Sequence, residues 1–444
     1  MVIPIKVVAP DGARRPAGSA VTDGASRPAG SAVPAGVGAP PRRPNAHGSR
    51  FDAVAAHTQP GQIRLASLPP LSLYVHFPWC VKKCPYCDFN SHAADGTGAL
   101  PEARYIDALI RDLELSLPLI WGRRIHTVFF GGGTPSLLSA QGFARLMSEI
   151  RSRSALEADA EITLEANPGT FEAEKFAAYR DHGVNRLSIG IQSFDNAQLQ
   201  SLGRIHDGTE ARQAIETAAR LFDNFNLDLM YALPGQTPAQ LHTEIDTALS
   251  FAPPHLSYYH LTLEPNTVFA KYPPPLPDDD MAAEMQSLIE SRLASAGYEH
   301  YETSAYAQQG QRSRHNLNYW RFGDYLGIGA GAHGKLSFAQ RILRTAKLRQ
   351  PESYMAGCEA DAPLAEEREV SAKELPFEYM MNALRLTDGF AVREFGERTG
   401  LPVSAVEQAL NEAERRGLIT RDHLRIAPTE RGRLFLNDLL QLFL

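Results

Sequence analysis

Three of the four cysteines in this 444-residue chain fall within eight residues of one another. Cys80, Cys84 and Cys87 form the spacing C-x3-C-x2-C, whereas Cys358 stands alone far downstream. A [4Fe–4S] cluster that only transfers electrons is held by four thiolates. Three cysteines in one short loop can hold three irons of such a cluster, which leaves the fourth iron open to a small molecule. The spacing therefore predicts a [4Fe–4S] cluster with one open position.

A structural zinc site is the alternative use of the same thiols. Zinc would need a fourth ligand, and His76 or His92 could complete a Cys3His set. Structural zinc usually takes its ligands as two separated pairs, whereas the three cysteines share one loop with no second pair. The spacing favours the cluster and leaves zinc as the alternative. Cys358 is most simply an inert buried thiol.

A glycine run follows soon after the cysteines. Gly131–Pro135 reads GGGTP and comes directly after the apolar run Val128–Phe130. Glycines let the backbone approach a ligand closely, and free carbonyls at a strand end can accept hydrogen bonds from an ammonium group. Tight turns use the same residues. The position of the run, one strand–helix unit after the cysteines, favours a ligand-binding edge.

From Leu71 onward, short apolar runs alternate with segments of helical period, which predicts βα units and a parallel sheet in an α/β protein. The first five predicted strands carry or run into the residues with chemistry, and ligands bind at the carboxyl edge of such strands. The six predicted strands are Ser72–Phe77, His126–Phe130, Glu161–Ala166, Arg186–Ile191, Leu227–Leu233 and Leu256–Leu263. Helices are predicted between them, for instance over Ala103–Leu115 and Glu172–His182.

After Pro376 the pattern changes to three helices and a hairpin, which predicts a winged-helix-like domain. The elements are helices over Phe377–Leu386, Val392–Thr399 and Val403–Arg416, a β pair around Leu418–Ile426, and a last helix capped by Thr429. A recognition helix that approaches phosphates needs net positive charge. Here that helix carries Glu407, Glu412 and Glu414. A packing or lid module is therefore favoured over DNA binding.

Residues 1–68 are rich in Pro, Ala, Gly, Ser and Arg and contain a near repeat, RPAGSAV, beginning at Arg15 and Arg27. Such a segment cannot offset its chain entropy, so a disordered tail is predicted. Its Pro and Gly argue against an organelle-targeting helix. The net charge of -7 gives no general attraction for nucleic acid. Clustered thiols without a signal peptide favour a cytoplasmic protein.

Together these motifs resemble those of radical S-adenosylmethionine (SAM) proteins of the HemN/HemW family, from about Leu71 to the C-terminus. Further segments that carry the resemblance are Leu164–Pro168, Asn185–Phe194, Leu202–His206 and Leu227–Gln236. The resemblance implies a partial (β/α)6 TIM-like radical SAM barrel over 69–310. A connecting segment with a heme motif would follow over 311–375, and the winged-helix-like domain would occupy 376–444.

The resemblance implies that SAM binds the open iron of the cluster. Tyr74, Gly132 and Glu165 are then expected to contact this SAM. A carboxylate can accept hydrogen bonds from ribose hydroxyls, and an arginine can pair with a carboxylate. Each such residue taken singly could equally be a surface ion pair or a core polar contact. Other positions around the SAM sites, which include a second SAM in the oxidase branch, are Tyr86, Gly133, Thr134, Gln192, Arg204 and Asp228.

One position separates two branches of the family. Anaerobic coproporphyrinogen III oxidases carry a further cysteine two positions after the third, where this chain has Phe89. The resemblance therefore favours the heme-chaperone branch over the oxidase, and a cluster-containing DNA-binding regulator is a distant alternative. A chaperone implies a heme acceptor protein, an electron donor such as a flavodoxin or ferredoxin, and peripheral membrane association on delivery.

A second feature agrees with the chaperone branch. Arg314–Trp320 resembles the H-N-x-x-Y-W motif associated with heme in that branch. A histidine can ligate heme iron, and aromatic faces can pack on the macrocycle. A lone histidine near aromatic residues is also often a packing residue, and His333 is a second candidate ligand. The heme contacts that the resemblance implies are His315, Asn316, Tyr319 and Trp320.

Overall fold

The computed structural model of the chain describes residues 53–94, 100–170 and 172–444. The strands in these ranges are β1 (Leu71–Phe77), β2 (Trp79–Cys80), β3 (His92–Ala93), β4 (Arg124–Gly132), β5 (Ala155–Ala166), β6 (Arg186–Gln192), β7 (Phe225–Tyr231), β8 (His255–His260), β9 (Glu299–Glu302), β10 (Ala305–Ala307), β11 (Asp324–Ile328), β12 (His333–Phe338), β13 (Arg341–Lys347), β14 (Leu364–Glu369), β15 (Phe390–Ala391), β16 (Ile419–Arg421) and β17 (Arg425–Pro428). The α-helices are α1 (Ala53–Thr58), α2 (Glu102–Ile120), α3 (Ala140–Arg153), α4 (Ala173–Asp181), α5 (Asn196–Ser201), α6 (Gly208–Leu221), α7 (Pro238–Ser250), α8 (Val268–Lys271), α9 (Asp279–Ser295), α10 (Arg314–Trp320), α11 (Pro351–Glu359), α12 (Leu375–Ala383), α13 (Val392–Thr399), α14 (Glu407–Arg415), α15 (Glu430–Leu434) and α16 (Leu436–Gln441).

Six parallel strands form the middle of one large sheet. β1, β4, β5, β6, β7 and β8 are neighbours in that order, and every neighbouring pair is parallel. Each of them overlaps a strand predicted from the sequence, and the chain between them folds into α2, α3, α4, α6 and α7. All residues of β7 are buried, as expected for a parallel sheet covered on both faces. The α/β prediction is confirmed.

The sheet extends beyond these six strands on both sides. Its full order is β14-β13-β12-β11-β1-β4-β5-β6-β7-β8-β10-β9. β11 joins β1 in parallel, and β12, β13 and β14 follow in antiparallel order. The segment predicted as a connection over 311–375 therefore supplies four strands of the same sheet. Within the described residues β14 and β9 do not pair with each other, which agrees with a partial barrel.

The sheet curls around the short helix α10. Asn318 of this helix donates to Ser72 on β1 at 2.8 Å, and the backbone N–H of its cap Ser313 donates to the Tyr301 hydroxyl on β9 at 3.3 Å. β1 and β9 lie seven strand positions apart. A flat sheet would separate them by roughly 30 Å, whereas a seven-residue helix is only about 10 Å long. The strands must therefore wrap around α10, which lies on their concave face.

Residues 53–68 are packed, although their composition places them in the predicted tail. Ile63 and Leu65 are buried, and the Leu65 N–H donates to the carbonyl of Ala339 at 2.8 Å. Arg341 donates to the carbonyl of Gln59 at 2.9 Å. The turn between β12 and β13 thus holds this segment. Residues 1–52 of the predicted tail lie outside the described residues.

The C-terminal elements follow the predicted order of helices and hairpin. β15, β17 and β16 form a small sheet, and the Thr429 hydroxyl accepts from the Gly432 N–H at 2.9 Å, so Thr429 caps α15 as predicted. Arg421 on the hairpin pairs with Glu407 and Glu414 of the candidate recognition helix α14. That helix therefore presents carboxylates that are engaged within the domain. Across the described part of the chain, no helix has the length and apolar character needed to cross a membrane.

Candidate functional site

The cysteine loop is closed into a compact ring at the carboxyl end of β1. β2 pairs with β3, which aligns Cys80 with Ala93, and the Ala94 N–H donates to the Cys80 carbonyl at 2.8 Å. The Cys87 N–H donates to the Cys84 carbonyl at 3.2 Å. Lys83 crosses the ring, and its ammonium donates to the carbonyls of Phe89 and Ser91. The backbone of the loop therefore fixes the positions of all three cysteines.

The three thiols share one half-buried space. Burial raises the pKa of the Cys87 thiol to about 11, and the nearby Cys80 and Cys84 thiols add to this rise. Burial also raises the pKa of Cys80, and this rise is partly offset by a hydrogen bond with Thr134. Thiols that disfavour one another's charge are deprotonated when a metal supplies compensating positive charge. The environment fits a polynuclear cation that several thiolates bind at once.

His76 is already engaged by protein atoms, which bears on the zinc alternative. Its Nδ1 lies 3.0 Å from the Tyr74 hydroxyl, and its Nε2 lies 2.9 Å from the carbonyl of Asn90. Burial lowers its pKa to about 4, so the ring is neutral and bridges β1 to the end of the cysteine loop. Among the described residues no group of three or more His, Cys, Asp or Glu side chains is arranged to hold a single metal ion.

The glycine run lies directly against the cysteine loop. The Gly133 N–H donates to the Phe77 carbonyl and the Thr134 N–H to the Trp79 carbonyl, both at 2.7 Å. A Cβ at Gly133 would lie 2.5 Å from the Trp79 carbonyl oxygen, and Gly132 has a φ of +119°. A side chain at Gly133 would have to move the backbone next to Cys80, and one at Gly132 would meet the His76 ring at 2.5 Å in a conformation that favours glycine. The predicted ligand-binding edge is therefore built by close backbone approach.

Two carboxylates from neighbouring regions of the sheet face this edge. Glu165 accepts from the Gly132 N–H at 3.0 Å. Burial and the charge of Asp228 raise the pKa of Glu165 to about 7, and the Gly132 N–H opposes this rise. Asp228 accepts from Ser188 at 2.7 Å and from Asn226 at 2.9 Å. Both groups keep acceptor capacity for hydroxyl or ammonium donors.

Arg204 connects the cysteine loop to β6. Its guanidinium donates to the Cys84 sulfur at 3.7 Å and to the Gly190 carbonyl at 2.8 Å, while its Nε is buried without a protein partner. Tyr86 is close enough for a side-chain hydrogen bond with Arg204. Gln192 ends β6 with a φ of +66°, a conformation that costs a non-glycine residue about 1 kcal/mol or more. Such strain and an unpartnered donor are features of ligand sites.

The structure places most of the predicted SAM-binding residues at the carboxyl edge of the parallel strands, beside the cysteine loop. Tyr74 lies two residues before His76 on β1. Burial and the charge of Glu165 raise the pKa of Tyr74. Sequence reasoning missed Asn90, whose amide donates to the carbonyls of Ala330 and Arg349 at 3.0 and 2.9 Å. It also missed Tyr105, which donates to the His76 carbonyl at 2.7 Å and accepts from the Ala330 N–H at 3.0 Å. Asn90 follows the last cysteine by three positions, and that proximity was the available signal.

The segment predicted to hold the heme motif forms helix α10, in which His315, Asn316 and Trp320 are buried. The Nδ1 of His315 lies 2.8 Å from the Thr127 hydroxyl, and its ring stacks on Phe129 with centroids 4.9 Å apart. His315 is 0% exposed and its Nε2 has no protein partner. Asn316 and Trp320 are also buried, whereas Tyr319 is half-buried. Heme ligation by His315 stays a prediction, and it would require α10 to shift.

We expect His315 to make the protein less stable in acid. Burial lowers the pKa of His315 from 6.5 to about 3. Below pH 6.5 this histidine is therefore protonated in the unfolded chain but stays neutral in the folded chain. The stability contribution of the neutral ring is complete above pH 6.5 and is lost as the pH falls toward about 3. The loss should approach ~1.4 kcal/mol per pH unit. Guanidinium unfolding between about pH 7 and pH 5 should therefore show a shallower pH dependence for His315→Asn than for the wild type. Equal slopes would contradict the buried neutral ring.

The observed arrangement fits an iron–sulfur cluster with a bound small molecule. Three thiols share one loop and two glycines allow close approach beside them. The Arg204 Nε has no protein partner, and the Glu165 and Asp228 carboxylates can accept further hydrogen bonds. On a partial barrel of parallel strands, this combination defines the radical SAM class. The residues present fit both the [4Fe–4S] cluster and SAM.

Comparison with known proteins agrees with this class. Residues 74–248 match the Radical SAM superfamily, and residues 370–435 match the HemN C-terminal domain. The chain is 50% identical over 384 residues to heme chaperone HemW of Escherichia coli, covering 86% of this chain and 100% of that protein. It is 48% identical to HemW of Haemophilus influenzae, covering 86% and 99%. The chain belongs to the HemW family of radical SAM proteins.

A solved structure supports the fold independently. Coproporphyrinogen III oxidase HemN from Escherichia coli superposes with a TM-score of 0.72 and covers 85% of this chain and 90% of that chain. Its sequence is 23% identical to this one, so the match concerns the fold. The partial radical SAM barrel with a C-terminal domain is thus confirmed.

Proposed function

We propose that this protein is a heme chaperone that binds heme and transfers it to an acceptor protein. The observation that carries the proposal is the identity of 50% over the full length of a protein named heme chaperone. Phe89, which stands where the oxidase branch has a further cysteine, supports the same branch. The oxygen-independent oxidase is the alternative that the experiment below tests.

In this proposal Cys80, Cys84 and Cys87 hold the [4Fe–4S] cluster. The cluster, when bound and reduced, supplies the electron that can cleave SAM. The chain's own groups hold the cofactor in place. The Gly132 and Gly133 backbone allows close approach, and Glu165 offers an acceptor for a hydroxyl or ammonium group.

Other residues would complete the SAM site. The Arg204 guanidinium has a free Nε for a carboxylate and also donates to the Cys84 sulfur. Asp228, fixed by Ser188 and Asn226, can accept from ribose hydroxyls. The remaining proposed SAM contacts are Tyr74, Tyr86, Thr134 and Gln192.

The proposal also includes partners. A heme acceptor protein receives the cargo, and a flavodoxin or ferredoxin supplies the electron in the cytoplasm. Delivery involves peripheral association with a membrane. The H-N-x-x-Y-W motif contributes to the heme site through the half-buried face of Tyr319 and, if α10 shifts, through His315, Asn316 and Trp320.

Anaerobic reconstitution followed by parallel assays tests the function. The chaperone should bind heme stoichiometrically, pass it to an apoprotein acceptor, and leave coproporphyrinogen III unchanged. Release of carbon dioxide from coproporphyrinogen III would establish the oxidase instead. A specific shift of a DNA fragment would favour the cluster-containing regulator.

A further inference from the structure

The two nitrogens of the His315 ring have different surroundings. Nδ1 lies 2.8 Å from the Thr127 hydroxyl oxygen, whereas Nε2 is buried and has no hydrogen-bond partner among the described residues. A buried polar atom without a partner destabilises the folded chain, so native proteins keep few of them, and those that persist often have a functional role. His333, the other candidate heme ligand, lies exposed at the start of β12.

Two other residues of the H-N-x-x-Y-W motif show the same feature. Asn316 Oδ1 and Trp320 Nε1 are buried, and neither has a hydrogen-bond partner in the described part of the chain. Residues four apart in a helix are neighbours, so positions 316 and 320 lie on one side of α10. The motif therefore holds three buried polar atoms that its own fold does not satisfy, as expected where a ligand completes the contacts.

The Thr127 hydroxyl has a single proton, and Ser72 receives it. Thr127 on β4 donates to the Ser72 hydroxyl oxygen on β1 at 2.8 Å, and the two residues are partners in the strand register. A hydroxyl donates once and otherwise accepts. Toward His315 the Thr127 oxygen can therefore only accept, so Nδ1 carries the proton. A charged ring would be costly at this fully buried position, so Nε2 carries none.

Asn318 of α10 fixes the other end of this chain of hydrogen bonds. Its amide nitrogen donates to the Asp324 carbonyl and to the Ser72 hydroxyl oxygen, both at 2.8 Å. A carbonyl can only accept, which places the amide nitrogen and not the amide oxygen on this side of Asn318. Ser72 thus accepts from Asn318 and from Thr127. Both hydroxyl residues are buried, so bulk water does not compete for these bonds.

A ring with its proton on Nδ1 presents the lone pair of Nε2. Histidines that bind metals usually donate their other ring N–H to an oxygen acceptor, which orients the ring and makes the binding nitrogen more basic. Phe129 stacks on the His315 ring at an interplanar angle of 28° and holds its plane. The two nitrogens lie on different edges of the ring, so Nε2 can be uncovered while the Thr127 bond is kept.

We propose that Ser72 and Thr127 are positioning residues of the heme site, because they hold the ring proton of His315 on Nδ1 and leave Nε2 for the heme iron. This inference rests on the proposed function, with heme as the cargo and the motif histidine as its ligand. Neither hydroxyl is proposed to touch the macrocycle. Thr127 lies 188 positions before His315, so the local motif gives no sign of it.

The position of the ring proton can be measured without heme. Nitrogen-15 NMR of the anaerobically purified protein with labelled histidines distinguishes the protonated ring nitrogen from the other, and the His315 signals are those missing from His315→Asn. The wild-type ring should carry its proton on Nδ1. Ser72→Ala should move the proton to Nε2, because the Thr127 hydroxyl loses its acceptor and then donates to Nδ1. A wild-type ring protonated on Nε2, or an unchanged ring in Ser72→Ala, would overturn the proposal.

Heme binding gives a second measurement. Thr127→Val keeps the side-chain shape but lacks the hydroxyl, so it should lower heme affinity about tenfold or more. It should also lower the iron–histidine stretching frequency of ferrous heme in resonance Raman spectra, because the ring becomes a weaker base. Thr127→Ser should restore both values. Thr163→Val is the matched control on β5, since the buried Thr163 hydroxyl has no partner among the described residues.

The outcomes separate the positioning role from the function. Thr163→Val should leave the affinity and the frequency unchanged, and the cluster absorbance verifies that each variant is folded. An unchanged frequency in Thr127→Val, or an equal decrease in Thr163→Val, would overturn the positioning role while leaving a heme-binding protein. A wild-type protein that binds no heme would instead refute the proposed function, whichever nitrogen of His315 carries the proton.

Discussion

Replacement of Cys84 by serine should abolish the brown absorbance at about 400 nm that thiolate-bound iron gives the reconstituted protein. Serine keeps the backbone carbonyl that accepts from the Cys87 N–H, so the loop can still close. It removes the sulfur that the Arg204 guanidinium contacts at 3.7 Å. Two thiolates cannot hold the cluster that three are proposed to hold, and SAM binding should be lost with it. Iron and sulfide analysis with equilibrium SAM binding measures both effects.

The fourth cysteine provides the matched control. Cys358 is 1% exposed within the hydrophobic core, and burial raises its pKa to about 12. Cys358→Ala should therefore retain iron, sulfide and SAM binding. If Cys84→Ser kept its iron and sulfide, the ligand assignment would be wrong. Zinc without inorganic sulfide in the oxygen-free wild type would restore the zinc alternative.

The strands that carry the site were predictable because their local signals are strong. Apolar runs such as Arg186–Ile191 recur at regular spacing and are buried on both faces. The carboxyl-edge rule predicts Gly132 and Glu165 near the cysteines, and the family resemblance adds Arg204. Their contacts agree with that placement, since Gly132 donates to Glu165 and Arg204 donates to Cys84.

Other features depend on tertiary context that a local pattern does not contain. β13 and β14 carry Arg344, Lys347 and several glutamates, so they lack the apolar signal of a core strand. The Lys347 ammonium is nevertheless buried, because it forms an ion pair with Asp112 of α2. The burial of His315 also depends on tertiary structure, because the curled sheet encloses helix α10. The local sequence motif by itself indicates only a ligand.

Replacement of Lys347 by methionine should lower the free energy of unfolding by about 3–5 kcal/mol. Lys347 is 4% exposed and Asp112 is 0% exposed, and their side chains form an ion pair. Without the ammonium, the Asp112 carboxylate would keep only its hydrogen bonds from the Tyr354 hydroxyl at 2.7 Å and the Gly329 N–H at 3.2 Å. Guanidinium unfolding under anaerobic conditions measures the loss.

Two further variants isolate the buried charge as the cause. Asp112→Asn combined with Lys347→Met removes both charges and should recover at least half of the lost stability. Arg415→Met breaks the ion pair between Arg415 and Glu412, in which the arginine side chain is 71% exposed. This substitution should lower the free energy of unfolding by less than ~1 kcal/mol. A loss below about 1 kcal/mol for Lys347→Met would mean that solvent or a neighbouring group compensates Asp112.

Lys347→Met should also weaken binding of the iron–sulfur cluster. Asp112 fixes the Gly329 N–H, and the carbonyl of Ala330, the next residue, accepts from Asn90 of the cysteine loop at 3.0 Å. Without the Lys347 ammonium the Asp112 carboxylate is held less firmly, which loosens its support of Gly329 and Ala330, so Lys347→Met should lose iron to a chelator faster than Arg415→Met. Equal rates of iron loss would show that Asn90 holds the loop through its bond to the Arg349 carbonyl, independently of the buried ion pair.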